Sequence, residues 1–486
     1  MQPKNWQLKT QFLNNKTNYF SEYNILLLAI YCAVALLVVI NSENSFFWDT
    51  VQLGSQHATF YYNNNLSAVF LPDELDSGHI PTFGFYIALV WKMFGRTLLV
   101  SHFAMLPFVL GIIYQLIILC KRYLDIKYVP AAVLLITADP TLLSQMTLIS
   151  PDIPLVFVLL MSLNALLNNK RLLLTLGVAL LFLISMRGMM IGLCLLIVDL
   201  FLNLKYSSVK HLFAWLLKRS LIYLPALLIF LTYSYFHYIS KGWIGYHASS
   251  PWAESFQQVD SMGFVRNIFL LGWRLVDFGK IIVWILLIII LIRLRKTILD
   301  DKTKKQLLII TTCFLIILPL NMLWAKGLLG HRYLLPTTIL ASLFCAHLVF
   351  SDLLNRKLKL AAVTLWFVIL ASGNYWIYPE SIAKGWDATL AHLPYYDLRH
   401  EAIRYLDENR IPVKEVGSFF PNTATIDAID LNNRNVAFPN FVDQKYVFYS
   451  TVYNIDDNVL AQLKTHYSKV TEFENDNVSV IILVKK

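Results

Sequence analysis

Charged residues and cysteines are scarce in this chain of 486 residues. Only 15% of its residues are charged, 57% are hydrophobic, and the mean hydropathy is +0.55. The five cysteines all lie in or beside apolar runs, and none has the spacing of metal ligands. A disulfide framework and a zinc motif are therefore excluded. No nucleic-acid-binding module is visible, so membrane topology explains the net charge of +10 better than a nucleic-acid partner does.

What the chain has in abundance is apolar runs of membrane-spanning length. We predict an all-α polytopic membrane protein that begins with an uncleaved signal anchor. It has eleven spans, with twelve or thirteen as alternatives if segment 82–94 also crosses the membrane. The predicted spans are 24–40, 98–119, 128–148, 151–167, 172–186, 188–204, 219–239, 280–294, 306–323, 333–350 and 360–377.

The distribution of basic residues predicts the orientation of these spans. With the N-terminus inside, the inner segments contain 21 lysines and arginines and the outer loops contain nine. The positive-inside rule therefore places the N-terminus in the cytoplasm, with the chain in the plasma (inner) membrane. This topology requires segment 82–94 to lie on the outer face or to dip into it.

The composition changes after residue 378, where charged residues and asparagines become frequent. We predict a transmembrane domain over 1–378 and a small extracytoplasmic α/β domain over 379–486, long enough for a core of its own. Its predicted helices are 397–409 and 457–466, and its predicted strands are 413–420, 446–452 and 478–484. It contains no nucleotide-binding glycine loop, and no internal repeat is visible anywhere in the chain.

The first outer loop, residues 41–97, is unusually polar for a mostly apolar chain. Its carboxylates include Asp49, Asp73, Glu74 and Asp76, and His79 follows closely. Trp48 and several other aromatic residues suit the depth of the lipid headgroups, which indicates a site at the water–lipid boundary. The alternative is a solvated connector. A second outer loop, 240–279, is rich in aromatic residues and is predicted to be either an interfacial cover or a plain anchoring loop.

Further polar residues fall on the same predicted face of the membrane. They are Asp139, Asp152, Arg187, His331 and Arg332. Ionisable groups near the apolar layer are costly and usually functional. Each also has a structural alternative: a helix kink at Asp139, a helix cap at Asp152, an interfacial anchor at Arg187, and a boundary pair at His331 and Arg332.

This set of residues suits one kind of chemistry. His331, Arg332 and Arg187 can hold a phosphate, and Asp49 can deprotonate a hydroxyl group. Together they describe attack of a hydroxyl on the anomeric carbon of a sugar, with a lipid phosphate as the leaving group. Glu74, Asp76 and His79 are candidates for acceptor handling. Asp76 and His79 are also close enough in sequence to hold a divalent metal ion, which is left open as a cofactor.

The order of these motifs resembles that of polytopic glycosyltransferases with the GT-C fold, related to protein O-mannosyltransferases and aminoarabinose (lipid A) transferases. The resemblance spans residues 20–350. The matching residues are Trp48-Asp49, Asp76 to Pro81, Phe94-Gly95, Ser150-Pro151-Asp152 and His331-Arg332-Tyr333.

The resemblance implies a polyprenyl-phosphate sugar donor on the outer face of the membrane, with Asp49 as the catalytic base. His79-Ile80-Pro81 takes the place of the His-Pro-Pro stretch of that family. Thr50 follows Asp49 where the family has glutamate, which leaves the choice of acceptor open.

We therefore predict a membrane glycosyltransferase, inverting at the sugar, with a glycan, a lipid or a protein as acceptor. Asp152, Asp139 and Trp48 are expected to support the site. One alternative is a secondary transporter, although such proteins usually show paired repeats and charges near the middle of the membrane. The other is an inactive scaffold with the same fold.

Overall fold

The computed structural model describes residues 4–203, 208–250, 252–298, 301–379, 382 and 385–486. Helices dominate the chain up to residue 375, and a small sheet lies near the C-terminus. Each of the eleven predicted spans overlaps one or more helices of the described chain. The predicted fold class, a helical membrane protein with a small C-terminal α/β part, is confirmed.

Seven helices in the described part of the chain are long and apolar enough to cross a membrane. They are Glu22–Ile40 (within helix Lys4–Ile40), Leu98–Tyr123, Met186–Asn203, Val209–Lys241, Lys302–Leu323, His331–Phe350 and Arg356–Tyr375. The number rises to nine if each of two bent pairs is one span. The bent pairs are Ile126–Thr137 with Pro140–Met146, and Ser261–Val276 with Ile281–Arg293. Three shorter apolar helices are Thr82–Phe94, Asp152–Leu167 and Arg171–Ile184.

Asp139 lies at the first of these bends, where the two helices meet at 75°. Its carboxylate accepts hydrogen bonds from the backbone N–H groups of Thr141 at 2.8 Å and Leu142 at 3.3 Å. Pro140 begins the second helix, where its missing N–H costs nothing. Asp139 is thus a helix cap at a kink, which agrees with the structural alternative considered for it.

The aromatic segment 240–279 is not a loop throughout, which corrects the sequence prediction. Its second half forms helix Ser261–Val276, which bends by 91° into helix Ile281–Ile298. Asn267, Leu271 and Arg274 are its buried residues. Their spacing of four and three residues puts them on one helix face, so the helix turns Arg274 towards the interior.

The predicted catalytic loop, 41–97, also contains helical structure. A short π-helix, Val51–Gln56, continues into helix His57–Asn63, and helix Thr82–Phe94 follows after a loop. The last of these buries Phe83, Ile87 and Trp91 and exposes Leu89 and Met93. This two-sided pattern suits a helix lying along a surface, and its placement on the outer face stays a prediction.

The C-terminal part contains a four-stranded sheet in the order β1-β2-β4-β3. The strands are β1 (Val416–Gly417), β2 (Tyr446–Ser450), β3 (Tyr467–Asn475) and β4 (Val478–Lys485); β1 is parallel to β2, and the other neighbours are antiparallel. The helices are Tyr395–Glu408, Ile426–Asp430 and Asp457–His466. Within the predicted strand 413–420, only the two residues of β1 form a strand. Strand β3 was missed because its side chains are mostly polar and exposed, as is common for an edge strand.

The core of the C-terminal part includes two residues from the preceding sequence, Phe47 and Leu148. The ring of Phe47 stacks on that of His392 with centroids 4.9 Å apart. Nearby, the hydroxyl of Ser45 donates to Asp430 at 2.5 Å. The C-terminal part therefore holds the segment that leads to Asp49.

The carboxylate of Asp430, which accepts from Ser45, also belongs to a buried ion pair. Nη1 of Arg399 donates to both carboxylate oxygens of Asp430, at 2.7 and 2.8 Å, and Nε donates to Asn422 at 2.8 Å. Burial alone raises the pKa of Asp430, but the charge of Arg399 and the hydrogen bonds from His400 and Arg399 outweigh it and lower the pKa.

We predict that Asp430→Asn destabilises the C-terminal part by about 3–5 kcal/mol, because it leaves the Arg399 charge buried without a carboxylate to balance it. The control is Asp407→Asn in the exposed pair with Arg434, which should cost under about 1 kcal/mol. The measurement is thermal unfolding in detergent.

The same pair should make stability depend on pH. Because the folded pKa of Asp430 is lowered, its contribution is complete above the unfolded value of about 3.9 and is lost as the pH falls through the folded pKa. Equal unfolding temperatures for the two variants at neutral pH would contradict the assignment.

Candidate functional site

A cavity of about 680 Å³ lies where the membrane helices meet the C-terminal part. Its lining combines ionic groups, methionines and aromatic rings from five stretches of the chain. These include Trp48, Asp49, Leu53 and His79; Met186, Arg187, Met189 and Met190; Trp252, Phe256, Gln258 and Arg274; Asn321, Met322, Leu328, Leu329, His331, Arg332 and Tyr333; and Gly385, Trp386, Asp387, Phe420 and Asn454.

The guanidinium group of Arg332, which lines this cavity, contacts three carboxylates, and two of them, Asp49 and Asp387, line the cavity as well. Nη2 contacts Asp49, Nη1 contacts Asp387, and Nε lies 3.2 Å from Asp152. The planar fork of arginine suits several carboxylates better than an ammonium group does. Arg332 therefore joins three segments that are far apart in sequence.

Arg187 forms a second contact to Asp152, on the other carboxylate oxygen. Its guanidinium carbon lies 4.2 Å from the ring centroid of Tyr333, within the range of a cation–π contact. Asp152 is in the first turn of its helix, and Pro151 occupies the N-cap position. The carboxylate of Asp152 therefore pairs with two arginines rather than capping its helix.

Three carboxylates and two guanidinium groups make up this cluster, which leaves one formal negative charge in excess. An incoming phosphate is repelled by such an excess unless another cation lies close by. The candidate is Arg274, which also lines the cavity.

Arg274 belongs to a network centred on Asp277. Nε2 of His331 donates to Oδ2 of Asp277 at 2.7 Å, and the hydroxyl of Tyr378 donates to Oδ1. Burial, together with this hydrogen bond, raises the pKa of Tyr378 to about 12, so the hydroxyl keeps its proton. Nη1 of Arg274 is 3.7 Å from Asp277, and its Nε has no hydrogen-bond partner among the described residues. Arg274 is thus less tightly paired than Arg187 or Arg332.

His331, predicted to bind the donor phosphate, lines the cavity but is only 3% exposed. Its Nε2 is already bonded to Asp277, and Gly385 closes off its other edge. Gly385 has a φ of +60°, and a Cβ there would lie 2.7 Å from Nδ1 of His331. The geometry suits a residue that holds Asp277 and Arg274 in place better than one that binds phosphate itself.

The structure does not bring the predicted metal pair, Asp76 and His79, together. Oδ2 of Asp76 pairs with Nε2 of His237 at 2.9 Å, and Oδ1 accepts from the backbone of Gly78 at 2.8 Å. Glu74 is exposed and does not line the cavity. Among the residues that the structure describes, no group of three or more His, Cys, Asp or Glu side chains could hold a metal ion.

His79 does line the cavity, and its Nδ1 accepts a hydrogen bond from the backbone of Met186 at 3.4 Å. Burial, and then the positive charge of Arg187, lowers the pKa of His79 to about 4. The ring is therefore neutral at neutral pH, where it can accept or donate a hydrogen bond but supplies no charge.

Three residues of the site were missed in the sequence. Asp387 follows Trp386 and so repeats the Trp-Asp pair of Trp48 and Asp49, which is the one local signal that could have found it. Its backbone oxygen accepts from Ser144 at 2.9 Å and Gln145 at 2.8 Å. Arg274, on a predicted outer loop, departs from the positive-inside rule as Arg332 does. Asp277 had no signal of its own.

We predict that Asp152→Asn lowers stability much more than Asp387→Asn does. The first change deprives Arg187 of its carboxylate and should cost about 3 kcal/mol or more. The second removes the excess negative charge while Arg332 keeps two partners, and should cost under about 1 kcal/mol. Thermal unfolding of the purified protein in detergent compares them. A larger loss for Asp387→Asn would contradict this description of the charges.

Two solved structures resemble the whole chain. The structure of ArnT from Cupriavidus metallidurans bound to undecaprenyl phosphate has a TM-score of 0.55 and 10% sequence identity, covering 95% of this chain and 98% of that one. The apo state of the same protein has a TM-score of 0.51 and 12% identity, covering 94% and 97%. No protein-family profile and no curated protein sequence matches. The chain therefore has the GT-C fold that the sequence resemblance implies.

Proposed function

We propose that this protein is a membrane glycosyltransferase that moves a sugar from a polyprenyl-phosphate donor to a hydroxyl acceptor on the outer face of the membrane. The observation that carries the proposal is the position of Asp49 in the wall of a cavity that also contains Arg187, Arg274 and Arg332. The fold shared with ArnT, whose structure holds undecaprenyl phosphate, supports a donor of the same lipid class.

The donor lipid finds two kinds of surface in the cavity. Met186, Met189, Met190 and Met322 supply flexible apolar side chains that suit an isoprenoid chain. We assign the phosphate to Arg274, because the other two arginines are already paired with carboxylates. Arg187 and Arg332 also line the cavity, so they can help to stabilise negative charge as it develops on the phosphate.

In this assignment Asp49 acts as the general base. Arg332 contacts Oδ2 of Asp49, and Oδ1 makes no hydrogen bond to the described part of the chain. Oδ1 takes the proton of the acceptor hydroxyl, whose oxygen attacks the anomeric carbon. The bond from that carbon to the phosphate oxygen breaks, and its electron pair leaves with the lipid phosphate, where Arg274 stabilises the charge. A single displacement of this kind inverts the anomeric centre.

The same proposal includes the orientation of the chain in the membrane. The positive-inside rule puts the N-terminus in the cytoplasm and residues 379–486 outside. Asp387, Phe420 and Asn454 line the same cavity as Asp49, so the cavity then opens on the outer side.

We predict that Asp49→Asn lowers the rate of sugar transfer by about a hundredfold or more, because the amide cannot take the proton. Asp73→Asn is the matched control: Asp73 lies in the same loop and pairs with Lys241, outside the cavity lining. The measurement follows radiolabelled sugar from polyprenyl phosphate into a product formed with cell-envelope extract. Full transfer by Asp49→Asn would assign the base elsewhere.

Arg274→Gln should weaken binding of sugar-free undecaprenyl phosphate about tenfold or more, since it removes a charged hydrogen-bond donor. Arg266→Gln, an exposed arginine two turns earlier on the same helix, should leave binding unchanged. Binding to purified protein in nanodiscs provides the comparison. Equal affinities for both variants would show that the phosphate lies at another cation.

A further inference from the structure

Three aromatic rings form one wall of the cavity, and we call Trp48, Trp252 and Phe420 the aromatic wall. The ring centroid of Phe420 lies 6.0 Å from that of Trp48 and 5.7 Å from that of Trp252. All three line the cavity and are contributed by three separate segments, the first loop, the segment before helix Ser261–Val276, and the C-terminal part. An apolar face is thus assembled directly beside Asp49.

Polar side chains line the same cavity as this wall. Asn454 and Gln258 are exposed side chains that also line the cavity, so their amides can donate and accept hydrogen bonds.

We propose that the aromatic wall binds a sugar ring, an inference that rests on the proposed function. A sugar presents a face of C–H groups and a rim of hydroxyl groups. The aromatic faces match the first, while the amides of Asn454 and Gln258 match the second. Trp48 directly precedes Asp49, so a ring seated on this wall lies beside the carboxylate assigned as base.

An isoprenoid chain fits this wall less well than a sugar does. It has no hydroxyl groups for the amides of Asn454 and Gln258, and the cavity offers it a methionine-rich surface elsewhere. Because Phe420 and Asn454 belong to the C-terminal part, that part helps to select the sugar. The sugar ring is either that of the donor or that of a glycan acceptor.

The test compares how tightly the full-length protein in nanodiscs binds two lipids. One is undecaprenyl phosphate, and the other is the same lipid carrying a hexose or an aminopentose. The variants are Phe420→Ala and Asn454→Ala. The matched control is Phe419→Ala, because Phe419 packs against Phe441 and Tyr453 inside the C-terminal part and does not line the cavity.

If the wall holds the donor sugar, Phe420→Ala weakens binding of the glycosylated lipid about tenfold and leaves the bare lipid unchanged. Asn454→Ala acts in the same direction, and Phe419→Ala changes neither. If the wall holds the sugar of a glycan acceptor, the lipid affinities stay unchanged. The apparent KM for the acceptor in the cell-envelope extract then rises about tenfold in the transfer assay, again for Phe420→Ala and not for Phe419→Ala.

Two outcomes overturn the inference in distinguishable ways. If Phe420→Ala weakens the bare and the glycosylated lipid equally, or changes neither lipid binding nor acceptor KM, the wall binds no sugar while the proposed function stands. If the wild type binds neither lipid, the donor assignment is wrong and the sugar site falls with it.

Discussion

The contact of Arg332 with three carboxylates is the interaction on which the site depends. Asp49, Asp152 and Asp387 come from the first loop, the start of a short apolar helix, and the C-terminal part. A guanidinium group removed from water is tolerated only when its donors are paired. Folding must therefore bring these segments together, and the same contact that satisfies Arg332 places Asp49 in the cavity wall.

The C-terminal part supports this arrangement from a second direction. Phe47 enters its core, and Ser45 donates to Asp430, so the residues just before Asp49 are held by packing and by a charged hydrogen bond. Asp387 pairs with Arg332, and Arg332 in turn contacts Asp49. Asp49 is thus fixed by contacts on two sides, which is the preorganisation that its proposed role as a base requires.

Much of this structure could be predicted from the sequence, for reasons that differ between elements. Apolar length alone located the helices of the predicted spans, because a helix that crosses a membrane must be long and apolar. The sequence predicts one shared site for Asp49, Asp152, Arg187 and Arg332, because ionisable groups near the apolar layer are costly and usually functional. The loop at Asp76 could not be predicted in the same way.

Asp76 and His79 are close in sequence, but the structure does not bring their side chains together. Gly78 has a φ of +75° and packs so closely on Gly245 that a Cβ would fall 1.3 Å from its carbonyl oxygen. That turn separates Asp76, which faces His237, from His79, which faces the cavity. Asp387 and Asp277 pair with Arg332 and His331 from distant parts of the chain, and no local pattern encodes such a pairing.

The distribution of charge in the cavity bears on how one cavity could hold a lipid phosphate and still leave the proposed base, Asp49, accessible. If every cation were free, a phosphate would bind anywhere along the wall and block Asp49. Here Arg187 and Arg332 are neutralised by carboxylates, while Arg274 is more loosely paired because Asp277 bonds first to His331 and Tyr378. In the proposed reaction this asymmetry directs the phosphate to Arg274 and leaves the acceptor hydroxyl access to Asp49. The one carboxylate in excess of these two arginines thus keeps the two proposed substrates apart.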